Sequence, residues 1–422
     1  MKILILSNAS WDTRNSVGNT LSNWFEGWED TELSFIYSRE VYPNRNCCTR
    51  YLSVSLINIL KNIFQPWKIG NVFYKIDDIE HCNIISETFH INSINGFKRR
   101  FIKLLVDLLY SSNIWFNRKV RQFIHEADPD IVFMFSIPDS FRYNLLKYIK
   151  KNTNAKIVQY IADDIYGATF LSNSLLNRIQ RRRYHKVINL ADKLYGASVQ
   201  MCERYQYLFG KSIVPLYKGC EVESPRTKVN TPLRIVYAGN LSYGRDSTLI
   251  ALVNAISKIN ENEERIQLLI YSGAKVDDSL LKKIDVPGCS KFCGRLDYEQ
   301  IKEQLHQADF VLHVESFDSN QIEIVKYSFS TKIIDCLQSG SCMLVVGPKG
   351  ISSVEYPRSI EGTVVIDNIQ DIYSKLLEVV SNPQRVVQQT KMINLYAQEY
   401  HSLTNVRKSL KEDFELLIDS NK

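Results

Sequence analysis

The hydrophobic pattern of the chain switches between two periods. Near-continuous apolar runs stand at 2–7 (KILILS), 32–37 (ELSFIY), 130–136 (DIVFMFS), 156–161 (KIVQYI), 193–197 (KLYGA) and 212–217 (SIVPLY). Runs of this kind, in place of strict alternation, mark strands covered on both faces of a parallel sheet. Helical spacing fills the intervals, as at 139–151 and 172–190. At 218–232 (KGCEVESPRTKVNTP) the pattern breaks into a polar stretch with two prolines. It then restarts with strands at 233–240, 266–273, 310–316 and 342–348 and a helix over 247–259, and after 368 it is mostly helical. The fold class this predicts is α/β, with two Rossmann-like doubly wound domains facing each other across a cleft.

The expected domains are 1–220, a linker at 221–232, 233–398, and a C-terminal helix over 399–422 that packs back on the first domain. Ligands of open α/β sheets bind outside the carboxyl ends of the strands, so the cleft is the expected site. Residues 40–118 do not fit the alternation and read as an insertion in the first domain. Within it, 97–116 sets Lys98, Arg99, Arg100 and Lys103 beside Phe101, Leu104, Leu105, Leu108 and Leu109. Two readings fit this helix. One is an interfacial helix against lipid phosphates; the other is a helix packed on the core with a solvated basic edge.

Composition narrows the classes. The 422 residues carry 52 basic and 46 acidic side chains, a net charge of +6. That mild excess suits an acidic small ligand or an anionic membrane surface and argues against a nucleic-acid partner. The basic patch 180–187 (QRRRYHKV) is read as a solvated or phosphate-steering face. Nine cysteines, an odd number without a C-x-x-C pair, predict reduced thiols. The opening MKILILSNAS is a strand and not a signal peptide. No apolar run approaches the ~18 residues of a spanning helix. A cytoplasmic chain is expected, peripheral on the inner face of the cell membrane.

The candidate chemistry centres on 327–340 (YSFSTKIIDCLQSG). Ser330 is the expected N-cap of a helix over 331–339, and Gly340 its stop. Ile333, Cys336 and Leu337 form the expected buried face, with Lys332 and Asp335 on the other. Lys332 at the helix start suits a diphosphate, and Asp335 suits two neighbouring ribose hydroxyls. The plain alternative is a surface ion pair between the two.

The second half resembles the nucleotide-sugar domain of GT-B glycosyltransferases, family 4-like or a related bacterial polysaccharide-assembly family. The resemblance rests on 237–256 (YAGNLSYGRDSTLIALVNAI), 292–317 and 329–348 (FSTKIIDCLQSGSCMLVVGP), the last similar to the family's P-S-K-[IL]-x-E-Y-x-A-x-G-x-P-V segment. It implies donor binding by Gly239, Asn240, Arg245, Glu315, Ser330, Thr331, Lys332 and Asp335. The chain departs from the family at three places. Tyr327 stands where a donor-sugar glutamate is usual, Phe329 replaces the proline, and Asp335 is shorter than the usual glutamate. Glu315 and Glu323 are both candidates for the missing acid.

In the first half, Gly18 and Asn19 follow the first strand. The resemblance makes this loop one that places acceptor and donor; the alternative is an ordinary loop and cap. Asp163 and Asp164 follow the strand at 156–161, where a general base for an acceptor hydroxyl belongs. Either is the candidate, and the alternative is helix capping by one with solvation of the other. The D-x-D text at 128–130 precedes a strand and reads as a turn. His313 reads as a packed strand residue. No metal site and no cofactor are expected beyond a nucleoside diphosphate sugar as co-substrate, since basic side chains stabilise the leaving diphosphate in this fold.

What the resemblance implies is transfer of a sugar from a nucleoside diphosphate sugar to a hydroxyl of a growing, lipid-linked glycan, in the assembly of a bacterial capsule, O-antigen or exopolysaccharide. The rivals are a nucleotide-sugar 2-epimerase of the same fold and a non-catalytic scaffold that binds a nucleotide sugar or glycan.

Overall fold

The computed structural model describes residues 1–74, 96–171 and 174–420. The chain forms two compact units. The first comprises residues 1–197, 202–216 and the segment from Arg407 onward; the second comprises 198–201 and 217–406.

The first unit is built on a sheet of strands β1 (Lys2–Ser7), β2 (Glu32–Tyr37), β3 (Arg50–Ser53), β4 (Asn71–Phe73), β5 (Ile131–Phe135), β6 (Lys156–Ile161), β7 (Lys193–Gly196) and β8 (Ile213–Pro215). Their order is β4-β3-β2-β1-β5-β6-β7-β8. All neighbours are parallel except the edge strand β4, which runs antiparallel to β3. Strands β1, β2 and β6 each bury five consecutive residues, which is why their sequences are apolar runs. The chain order reverses between β1 and β5, and the loops after these strands flank that point.

One expectation for this unit is corrected, and one of two open readings is supported in part. The segment 40–118 is not all insertion, because β3 and β4 within it extend the sheet. Within the helix Gly96–Ser111, Val106, Leu109 and Tyr110 pack on the core with Phe141 and Trp115. That part of its apolar stripe is core, not membrane face, while Leu105 and Leu108 stay exposed. The side chains of Lys98, Arg99, Arg100, Phe101 and Lys103, and the expected helix start at 172–173, lie outside the described residues. No helix among the described residues is long and apolar enough to cross a membrane.

The second unit carries β9 (Leu233–Ala238), β10 (Ile266–Tyr271), β11 (Ser290–Gly294), β12 (Phe310–Val314), β13 (Cys342–Val346) and β14 (Val364–Ile366), in the order β11-β10-β9-β12-β13-β14 and all parallel. Its helix Arg245–Ile259 turns Leu249, Leu252, Val253 and Ile256 to the core at helical spacing. The order reverses between β9 and β12.

The polar stretch 218–232 is tied to the second unit instead of hanging free. The amide of Cys220 donates to His401 O at 2.7 Å, that of Glu223 to Gln338 O at 2.9 Å and that of Arg226 to Gly340 O at 2.9 Å. Asn230 and Arg234 both donate to the buried Asp309 carboxylate. Its backbone amides thus find partners without secondary structure. After the helices Ile372–Ser381 and Gln384–His401, the helix Leu403–Asp419 ends in the first unit. There Phe414 is fully buried among Phe25, Trp28 and Phe133.

Candidate functional site

In the second unit the chain leaves β9 at Gly239 and Asn240. A Cβ at Gly239 would lie 2.6 Å from the Tyr237 hydroxyl oxygen and 3.0 Å from Cε of Lys332. Glycine at this turn therefore lets the Lys332 stem cross close to the end of β9. Lys332 opens the helix Lys332–Gln338, and Asp335 lies one turn further on. The fold thus brings Gly239 and Lys332, nearly a hundred residues apart, to the switch point of the sheet.

Burial pushes the Asp335 carboxyl up from its ordinary value, and the positive charges of Lys332 and Lys218 pull it back only in part. Lys218 is the member of this cluster that the sequence did not single out. Burial pushes its ammonium down to about 8, against the pull of Asp335. Two lysines and one aspartate leave a net positive charge in a partly desolvated place, where electrostatic interactions are stronger than in water.

The helix start differs from the expected one. Ser330 is not the N-cap: its amide donates to Ser353 Oγ at 2.8 Å, and the helix begins one residue after Thr331, which makes no side-chain capping bond and is exposed. At seven residues the helix is short. The positive charge here comes from the lysines more than from a helix dipole.

Arg245 and Glu315 were expected to meet the donor, and the structure assigns them to each other. Glu315 is 1% exposed. Arg245 Nη2 donates to both its carboxylate oxygens at 3.0 Å, and Arg245 Nε lies 3.2 Å from Oε2 and from Val314 O. His313 Nε2 stands 3.1 Å from Glu315 Oε1. Asn240 Oδ1 accepts from Arg245 Nη1 at 3.0 Å. Burial pushes the Glu315 carboxyl up, but the hydrogen bond and charge of His313 and the charge of Arg245 outweigh it and hold the group below its ordinary value. Glu315 is therefore a sequestered anion, closed by Arg245. Glu323 is exposed and pairs with Lys326 at 3.7 Å. Arg245 and Asn240 shape the turn after β9, with the guanidinium turned inward on the carboxylate.

In the first unit, Gly18 lies in the helix Ser16–Phe25, capped by Asn15. A Cβ there would stand 2.2 Å from Asp12 O. The close approach that this glycine permits is to its own loop, at Asp12 O, while Asn19 is on the exposed face. The two aspartates after β6 separate cleanly. Asp164 caps the helix Ile165–Ala168: Oδ1 accepts from Gly167 N at 2.8 Å and from the Tyr205 hydroxyl at 2.9 Å, and Arg204 Nε lies 3.2 Å from Oδ2. Both its oxygens are occupied, so it positions the loop. Asp163 is exposed at the carboxyl end of β6 and remains the candidate base. Asp128 and Asp130 bond Lys2 at the amino ends of β1 and β5, the opposite side of the sheet from the candidate residues.

The raised carboxyl makes a prediction. The unfolded value for Asp335 is near 3.8, and the folded value is higher. Its favourable contribution is complete below 3.8 and disappears as pH rises through the folded value, so the ionised group costs stability at neutral pH. Asp335→Asn should therefore melt higher than wild type at neutral pH, with the gap closing toward pH 3.8. The same change should weaken nucleotide affinity about tenfold to a hundredfold, since hydrogen bonds to a charged group are worth about 1.5–3 kcal/mol. Parallel calorimetric melts and titrations check both signs.

No protein-family model matches the chain, and no curated protein sequence matches it. Solved structures do. Sucrose-phosphate synthase from Thermosynechococcus elongatus aligns over 100% of both chains with a TM-score of 0.58 at 10% identity. HepE from Anabaena, in complex with UDP, aligns over 98% of this chain and 100% of its own with a TM-score of 0.59 at 13% identity. A UDP-forming α,α-trehalose-phosphate synthase from Burkholderia xenovorans, in complex with glucose-6-phosphate, aligns over 98% and 100% with a TM-score of 0.57 at 7% identity. At these identities the likeness establishes architecture, and the architecture is GT-B, two parallel-sheet α/β units, as the resemblance in the second half implied.

Proposed function

We propose that this chain is a metal-independent glycosyltransferase that moves a sugar from a nucleoside diphosphate sugar to a hydroxyl of a growing, lipid-linked bacterial surface glycan. The observation that carries the reading is the cluster of Lys332, Asp335 and Lys218 beside Gly239 at the switch point of the second sheet. Solved structures of the same fold that hold UDP or are described as UDP-forming support it. The lysines neutralise the diphosphate, and Asp335 accepts from the ribose hydroxyls. The acceptor oxygen bonds to the anomeric carbon, the bond from that carbon to the diphosphate oxygen breaks, and the acceptor proton passes to Asp163. Fixed positive charge stabilises the leaving group without a metal. The acceptor and the membrane surface that presents it belong to the cytoplasmic side in this reading.

A second reading, a non-catalytic nucleotide-sugar scaffold, is favoured by one observation: Glu315 and Asp164 are both spent on internal bonds. The 2-epimerase reading asks for acids and histidines open to a ligand, whereas His313 and Glu315 are buried and closed by Arg245.

The test is a transfer assay with radiolabelled UDP-, GDP-, TDP- and CMP-sugars and a membrane extract containing lipid-linked glycan. Label should enter the solvent-extractable fraction with one donor, equally with and without EDTA. Nucleotide binding without any transfer would favour the scaffold.

A further inference from the structure

The stretch 51–74 of the first unit contains no aspartate or glutamate and carries Lys61 and Lys68. Its tip exposes large apolar side chains: Leu60 is 54% exposed, Phe64 93% and Trp67 65%. Single exposed apolar residues are ordinary, but three within eight positions form a patch that needs an explanation.

The tip is also held firmly. Ser55 caps the helix Leu56–Lys61, and Ile59 and Ile69 are fully buried beneath it. The Asn117 side-chain amide donates to Pro66 O at 2.7 Å and to Ile69 O at 2.9 Å, while Asn58 Oδ1 accepts from Gly70 N at 2.8 Å. The backbone of the turn is thus pinned to the domain while its largest side chains point away from it. Chain ordering has already been met in the free protein, so an apolar medium gains these side chains at little further entropic cost.

We propose that Leu60, Phe64 and Trp67 insert into the interfacial layer of an anionic membrane, with Lys61 and Lys68 on its phosphates. Phenylalanine and tryptophan flanked by lysines match such a layer in both polarity and charge. The acid bonded to this helix, Glu40, accepts from Ile57 N at its start, and the only charged residues of the tip itself are lysines. A protein partner or a second copy would also cover apolar surface, but the lysine-only charge of this stretch gives a like-charged copy nothing to pair with. This surface stands independently of whether the chain transfers a sugar, and its test does not use activity.

The sequence supplies its own probe. Of the five tryptophans, Trp67 is exposed, and the other four are at most 8% exposed. With vesicles containing phosphatidylglycerol, the exposed-tryptophan emission should shift to the blue and be quenched by brominated acyl chains. Vesicles of phosphatidylcholine alone should do this weakly. Phe64→Ser with Trp67→Ser should lower vesicle affinity in flotation by about tenfold or more, and Lys61→Glu with Lys68→Glu should remove the preference for phosphatidylglycerol. All four positions are exposed, so the variants should melt with wild type. Unchanged flotation of the Phe64/Trp67 variant would overturn the proposal. So would a concentration-dependent dimer that this variant abolishes while wild type ignores vesicles.

Discussion

Glu315→Ala should destabilise the second unit by about 3–5 kcal/mol, the range for removing one partner of a buried ion pair. The carboxylate is the acceptor for Arg245 and lies beside His313, and without it an arginine that is 13% exposed keeps its charge with no counter-ion. The size of the effect comes from the stranded partner. Replacing both members, as in Arg245→Met with Glu315→Leu, should accordingly cost less than the single change. The sign with pH follows from the lowered carboxyl. The stability contributed by Glu315 is present above its ordinary value of 4.5 and is lost as pH falls through its lower folded value. Wild type should therefore lose stability below pH 4.5 by a limb that the variant lacks. Denaturant melts across that range measure both, and a single variant within about 1 kcal/mol of wild type would contradict the buried-pair account.

Asp163→Asn should lower turnover by about 10²–10⁴-fold, the usual worth of a positioned general base, and leave the melting curve in place because the side chain is exposed. Asp164→Ala should do the reverse. Loss of the cap alone costs about 0.5–2 kcal/mol, and the Tyr205 hydroxyl and Arg204 lose their carboxylate as well. Its effect on turnover should be traceable to the loop and restored in part by Asp164→Asn, whose amide oxygen still accepts from Gly167. Equal losses of turnover with equal losses of stability in both variants would remove Asp163 as base.

The sheets were largely legible because their signal is local. A strand buried on both faces must be an apolar run, and β1, β2 and β6 occupy the residues that their runs predicted. The strands β3, β4, β11 and β14 escaped because they are not apolar runs: β4, β11 and β14 are sheet edges with few buried positions, and β3 is four residues opening on Arg50. Lys332 and Asp335 were legible from their spacing and from the resemblance of the segment that carries them. What the sequence could not show was how side chains are spent. Arg245 and Glu315 are 70 positions apart, and only the fold pairs them. Ser330 has the chemistry of a cap, but its amide is taken by Ser353, 23 residues on. Lys218 lies in a polar stretch with no period, and only the packing of that stretch brings its charge to Asp335. The separation of Asp163 from Asp164 was half visible, because an aspartate three residues before Gly167 has capping spacing.

The central claim is that the second unit holds a nucleoside diphosphate through Lys332. The direct measurement is calorimetric titration of UDP, GDP and TDP, with CMP, into wild type and Lys332→Ala. One nucleotide should bind wild type and raise its melting temperature by mass action, and Lys332→Ala should lose most of that affinity while still folding, with an unliganded melting temperature lowered by the loss of its charge beside Asp335. Equal binding by the two proteins, or no binding of any nucleotide to wild type, would contradict the claim.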